Sequence, residues 1–242
     1  MVPLLATAIP FFNFSLAQNI KVVKKTKIYS QLIKEDSNYL MIELKDLIPS
    51  IQYELQYATP HNFTKKQLYK NKNATFLRLP AAKALCNAQY ELLCLGYGLK
   101  IYDAYRPYHV TRRMWDLVKD ERYVANPARG SGHNRGLSVD LTIIDVATGK
   151  ELDMGTSFDN FTDTAGHSFT GLPTSVLNNR ALLRSLMEKH GFRVLHTEWW
   201  HYSWPNDRNY DVLDLDFNTL RNASKPSALS APSSSNLPVL AP

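Results

Sequence analysis

The chain has 242 residues, 44% hydrophobic and 11% aromatic, with 28 basic against 22 acidic side chains. That balance fits one globular domain with tails and excludes a disordered or collagen-like chain. The formal charge of +6 suits anionic surroundings such as wall polymers or membrane surfaces, but no nucleic-acid-binding motif accompanies it.

Residues 1–17 read as an export signal. The stretch 2–16 is apolar apart from Thr7, Asn13 and Ser15, and Ser15-Leu16-Ala17 before Gln18 is a small-x-small cleavage pattern. The basic start of such signals is missing, and the stretch is too short and interrupted for a membrane span. The expected location is exported, periplasmic or extracellular. Residues 18–38, with Lys21, Lys24, Lys25 and Lys27, read as a basic linker. Residues 39–217 read as the folded domain, and 218–242 as a disordered tail rich in Ser, Pro and Ala.

Within the domain, Leu79-Pro80 opens a helix that runs toward Leu95 and stops at Gly96. It carries both cysteines, Cys86 and Cys94, roughly 12 Å apart along the helix, too far for a disulfide. Both read as buried small hydrophobes. A strand over 99–105 follows, then a helix after Pro107 with Val110, Met114, Leu117 and Val118 on one face. Residues 138–144 read as a buried strand. A further helix bears Leu182, Leu183, Leu186 and Met187 and stops at His190-Gly191. Residues 192–196 read as a strand. Helices and strands do not alternate regularly, and no phosphate-binding glycine loop is present. The expected fold is therefore α+β: a single compact domain with a mostly antiparallel sheet and packed helices.

Three constellations carry chemistry. The first runs Ser131-Gly132-His133-Asn134-Arg135-Gly136-Leu137-Ser138-Val139-Asp140. Val139, Leu141 and Ile143 take one face of the strand, so Asp140 takes the other. A carboxylate in so apolar a strand needs a partner. A metal shared with His133 supplies one; an arginine or a capped turn is the plainer alternative. The second is Glu198-Trp199-Trp200-His201. It offers His201 as a ligand and Glu198 as a base, or simply an aromatic strand with a packed histidine. On a regular strand Glu198 and His201 face opposite sides, so a bulge must separate them if both serve one site. His196, which shares the parity of Glu198, is the rival ligand. The third is Asp103-Ala104-Tyr105-Arg106-Pro107. It puts Arg106 at a strand end, as an oxyanion donor or as half of a salt bridge.

Together the pattern S-x-H-x-x-G-x-x-x-D, followed by E-x-W-H, resembles the zinc peptidases that cleave D-Ala-D-Ala bonds. The nearer likeness is to the D-alanyl-D-alanine dipeptidases. It is supported by Tyr57-Ala58-Thr59 with Asn62-Phe63, by Met154-Gly155-Thr156-Ser157-Phe158-Asp159 and by Tyr202 after the second motif. The resemblance implies one zinc ion per chain at the sheet face, on His133, Asp140 and His201. It implies Glu198 as base and later proton donor, and Arg106 on the scissile carbonyl oxygen. It assigns substrate contacts to Tyr57, Ser131 and Asp159, with Asp159 on the free amino group. The implied substrate is a small D,D-dipeptide, met in cell-wall peptide scavenging or turnover. A zinc D,D-carboxypeptidase trimming longer wall peptides is the alternative, and a non-catalytic wall-binding module a more distant one.

Overall fold

The computed structural model describes residues 20–70 and 73–224. In chain order the elements are β1 (Val22–Val23), α1 (Thr26–Glu35), β2 (Met41–Glu43), α2 (Leu44–Leu47), β3 (Gln52–Tyr53), β4 (Phe76–Arg78), α3 (Leu79–Cys94) and β5 (Tyr97–Asp103). They continue with α4 (Tyr108–Val118), α5 (Gly132–Arg135), β6 (Ser138–Asp145), α6 (Thr174–Lys189), β7 (Arg193–Leu195), β8 (Glu198–Ser203), β9 (Val212–Leu213) and α7 (Phe217–Ser224).

Five strands form the main sheet in the order β3-β5-β6-β8-β7. Only β3 and β5 run parallel; the other three pairings are antiparallel. The α+β expectation with a mostly antiparallel sheet therefore describes the molecule. Strand β6 is buried from Ser138 through Ile144, so both its faces are covered, although Ser138, Asp140 and Thr142 alternate with Val139, Leu141 and Ile143. Helices α3 and α6 pack against the sheet and against each other. Pro80 lies in the first turn of α3, where its missing N–H costs nothing. Gly96 ends it at φ +82, a left-handed conformation that glycine adopts without strain. Smaller pairings join β2 to β4 and β1 to β9.

The ends of the domain differ from the expectation. The segment read as a linker holds β1, which pairs in parallel with β9, and the ten-residue α1. Lys21, Lys24, Lys25 and Lys27 all point to solvent, while Val23 and Tyr29 are buried. The Tyr29 hydroxyl accepts the Met41 backbone N–H at 2.7 Å. The solvated lysines hid a short apolar stripe. At the other end, residues 217–224 form α7 rather than the start of a tail. Phe217 and Leu220 are buried there, and Arg221 pairs with Glu43 at 2.7 Å. The expected signal at 1–17 and the rest of the expected tail lie outside the described residues. Cys94 is exposed rather than buried, Cys86 is half-buried, and both are free. Leu117, placed on the inner face of its helix by periodicity, is exposed, whereas Val110 and Met114 are buried. Among the described residues no helix is long and apolar enough to cross a membrane.

Candidate active site

The turn before β6 is locked by its own side chains. Ser131 Oγ accepts the Asn134 N–H at 3.2 Å, and Asn134 Oδ1 accepts the Ser131 N–H at 3.0 Å, a reciprocal cap on α5. Asn134 Nδ2 also donates to the Arg106 carbonyl at 2.8 Å, and the Arg106 N–H donates to the His133 carbonyl at 3.2 Å. The turn bearing His133 and the strand end bearing Arg106 are thereby tied together. His133 Nδ1 lies 2.7 Å from the Ala104 carbonyl, which fixes the proton on Nδ1 and leaves Nε2 as an acceptor.

Asp140 and His201 face each other across β6 and β8 in register. On the far side of β8, Val194 pairs with Tyr202 but Leu195 pairs with Glu198, so the ladder to β7 is irregular there. One step on β7 is matched by four on β8. This is the bulge that the Glu198 and His201 spacing requires: Glu198, Trp200, His201 and Ser203 all line the same cavity.

That cavity, about 250 Å³, is lined by all eight residues singled out in the sequence: Tyr57, Arg106, Ser131, His133, Asp140, Asp159, Glu198 and His201. Ligand atoms of His133, Asp140 and His201 lie within 4.8 Å of one another. Asp140 Oδ1 is 2.9 Å from His201 Nδ1, and Asp140 Oδ2 is 3.4 Å from His133 Nε2. Burial disfavours the Asp140 anion, but the two imidazoles outweigh it and hold the carboxyl well below its usual range. Burial likewise opposes a charged His201, and Asp140 outweighs it, raising the imidazole pKa. The rival His196 is exposed and lines the neighbouring groove instead, apart from the donor cluster.

Glu198 is pushed up to about 7, first by burial and further by the Asp140 charge, against the opposing pull of His201. Arg106 is 7% exposed. Its Nε and Nη2 both donate to Asp103 Oδ2, at 2.9 and 2.7 Å, and its guanidinium lies 4.8 Å from the Tyr57 ring centre. Burial works against the arginine charge, yet Asp103 and its neighbours more than compensate and raise its pKa. Asp103 is fully buried, and its Oδ1 accepts the Tyr69 hydroxyl at 2.6 Å.

The remaining side chains come from irregular segments. The Tyr57 hydroxyl donates to Asp159 Oδ1 at 3.0 Å, while Asp159 Oδ2 is buried with no hydrogen-bond partner. Asp159 sits at φ +57, a left-handed conformation that aspartate tolerates better than most residues. Its carboxyl is held well above the usual range by burial and by the charge of Asp140. The Trp199 indole N–H donates to Thr156 Oγ1 at 2.8 Å, which ties this loop to β8. Sequence reasoning passed over Asp103, Tyr69 and Ser203. The cue for Asp103 was present, since it is a carboxylate at the end of an apolar strand just as Asp140 is one within such a strand.

The family model described as D-ala-D-ala dipeptidase, Peptidase_M15, matches residues 37–219. A D-alanyl-D-alanine dipeptidase of Escherichia coli (strain K12) is 33% identical over 177 residues, covering 73% of this chain and 91% of its own length. One from Enterococcus faecalis (strain ATCC 700802 / V583) is 32% identical over 178 residues, covering 66% and 88%. One from Enterococcus faecium is 30% identical over 193 residues, covering 72% and 95%. Among solved structures, an LD-carboxypeptidase, LdcB, aligns at a TM-score of 0.40 and 19% identity over 68% of this chain and 67% of that one. With a family match across most of its described residues and relatives that share nearly their whole length, this chain belongs to the M15 peptidase family of D-Ala-D-Ala dipeptidases.

Proposed function

We propose that the chain hydrolyses D-alanyl-D-alanine and related D,D-dipeptides to free amino acids, with one zinc ion held by His133, Asp140 and His201. Asp159 carries the dipeptide reading. Its Oδ2 is buried without a partner in the catalytic cavity, beside the Tyr57 hydroxyl. A free ammonium would give that oxygen a charge-assisted hydrogen bond and let the carboxyl ionise. An acylated amine supplies neither. The cavity of about 250 Å³ also suits a small substrate, falling below the roughly 300–1,000 Å³ of drug-sized ligand pockets.

The donor set fits zinc. Two imidazoles and a carboxylate converge, each imidazole turning one nitrogen into the cluster while the other is hydrogen-bonded, to the Ala104 carbonyl or to Ser203 Oγ. When bound, zinc supplies Lewis acidity and brings the acidity of water toward neutral pH. Glu198, poised near neutrality, accepts a proton from the attacking water on its carboxylate and returns it to the leaving amine nitrogen. Arg106, anchored by Asp103, offers its fixed positive charge to the carbonyl oxygen as negative charge develops there. The Ser131 oxygen is engaged as a cap acceptor, so its hydroxyl hydrogen is left for a substrate oxygen. The apolar character of residues 1–17 supports export, and with it wall-peptide scavenging or turnover as the setting.

The test is hydrolysis of D-Ala-D-Ala, N-acetyl-D-Ala-D-Ala and L-Ala-L-Ala, with and without a chelator. The free D,D-dipeptide should be cleaved, and chelation should abolish its cleavage. Leaving Asp159 unpaired costs about 1–3 kcal/mol, so the blocked substrate should be roughly five- to a hundredfold poorer. Equal cleavage of the blocked substrate would turn the reading into a D,D-carboxypeptidase, and chelator-insensitive activity would remove the metal from it.

A further inference from the structure

The two imidazoles of the donor cluster are held in different ways. His133 hands its Nδ1 proton to a backbone carbonyl, an acceptor that cannot turn away. His201 instead has its Nε2 3.0 Å from Ser203 Oγ, two residues along the same strand. Ser203 Oγ is in turn 2.6 Å from Ser138 Oγ, and the two serines are paired across β6 and β8. Ser138 is 1% exposed. The space around this hydroxyl pair is set by the residue before His133: a Cβ at Gly132 would lie 1.9 Å from Ser138 Oγ. The pair is thus enclosed between the turn that carries one imidazole and the strand that carries the other.

We infer that Ser203, backed by Ser138, is a positioning residue that accepts the Nε2 proton of His201 and so presents Nδ1 to the metal; this rests on the ligand set proposed above. A neutral imidazole carries one ring proton, and a nitrogen that binds a metal must offer a lone pair. His201 Nδ1 also lies 2.9 Å from Asp140 Oδ1, a carboxylate oxygen that draws a proton onto Nδ1. That tautomer blocks the ligand atom. Ser203 opposes it by stabilising the proton on Nε2. Having accepted it, the Ser203 hydroxyl directs its own hydrogen to Ser138 Oγ, so the chain runs His201 to Ser203 to Ser138. A hydroxyl serves here because it accepts and donates at once.

The experiment measures zinc affinity of the full chain by competition with a chromophoric chelator at fixed pH, for wild type, Ser203→Ala, Ser203→Thr, Ser138→Ala and His201→Ala. Ser203→Ala should weaken zinc binding by about 10–100-fold, the usual cost of losing a group that orients a metal ligand. Ser203→Thr keeps the hydroxyl and should restore most of the affinity, and Ser138→Ala should show a smaller loss than Ser203→Ala. In the zinc-loaded wild-type chain, ¹⁵N shifts of the His201 ring should place the proton on Nε2 and the metal on Nδ1. Zinc-loaded wild-type protein with the metal on Nε2 overturns the inference, whether or not the variants fold. So does zinc affinity unchanged within about twofold in Ser203→Ala, or a rise in KM alone, which would give the hydroxyls to the substrate. If His201→Ala binds zinc as tightly as wild type, the ligand set itself is wrong and the inference falls with it.

Discussion

On β6 and β8, Asp140 and His201 stand opposite each other in register, Oδ1 2.9 Å from Nδ1, with His133 drawn in by a capped turn. On the irregular segment beyond Met154, Asp159 sits in a left-handed conformation with one oxygen bonded to Tyr57 and the other to nothing. Both regions offer carboxylates to the same cavity, yet one is internally satisfied and the other is not. The groups carried by regular backbone are those whose mutual spacing must not vary. The group carried by loops is left with one oxygen unpartnered, the one the proposed function assigns to the substrate's ammonium.

Glu198→Gln probes the strand-borne side and should give the largest effect. An amide cannot accept the proton, so kcat should fall by about 10²–10⁴-fold. Zinc content, measured by metal analysis, should remain that of wild type, because Glu198 is not among the grouped donors. Near-normal turnover would move the base to another residue, with Asp159 the next carboxylate in the cavity. Asp159→Asn probes the loop side more gently. On the free dipeptide, kcat/KM should fall roughly five- to a hundredfold, while any residual rate on the N-acetyl dipeptide should hardly move. Equal losses on both substrates would make Asp159 a structural residue and dissolve the contrast. Gly132→Ala should cost about as much as Asp159→Asn, but on folding rather than on catalysis. The added methyl meets Ser138 Oγ, and overpacking of this kind costs about 1–3 kcal/mol. Thermal unfolding should show a midpoint lower by about 2–4 °C for each kcal/mol. An unchanged midpoint would mean that the strand side is less tightly specified than its geometry suggests.

The strand-borne half of the cavity was legible in the sequence. Parity along β6 gave Asp140 its face, and the clash of parity between Glu198 and His201 demanded the bulge that β8 contains. Its mate on β7 was not legible, because register across a sheet depends on residues far apart in the chain. Asp103 carried a cue as a carboxylate on an apolar strand, but its pairing with Arg106 did not. A carboxylate three residues before an arginine looks incidental until the strand end brings the two side chains within 2.7 Å and buries both. Motif spacing chose His201 over His196, and the turn between β7 and β8 leaves His196 in solvent. Helix α1 was missed because four exposed lysines near its start outweighed Tyr29, Leu32 and Ile33, which anchor it. The hydroxyl pair of Ser138 and Ser203 gave no sequence cue, since serines on facing strands are ordinary until their register is known.

The parallel pairing of β1 with β9 sets a timetable for the newborn chain. Lys21 reaches Asp211 across 190 residues, and among the described residues Val22 and Val23 find no strand partner but Val212 and Leu213. At roughly 5–20 residues per second, the ribosome needs on the order of 10–40 seconds to make the intervening chain. Val22 and Val23 cannot form this pairing until that interval has passed. Strand β9 also leads directly to Leu215, whose carbonyl accepts the Tyr105 hydroxyl at 2.8 Å, next to Arg106 in sequence. Residues 212–215, made some 190 residues after β1, therefore complete its pairing and brace the arginine's strand end, so a chain that stops short of them lacks that brace.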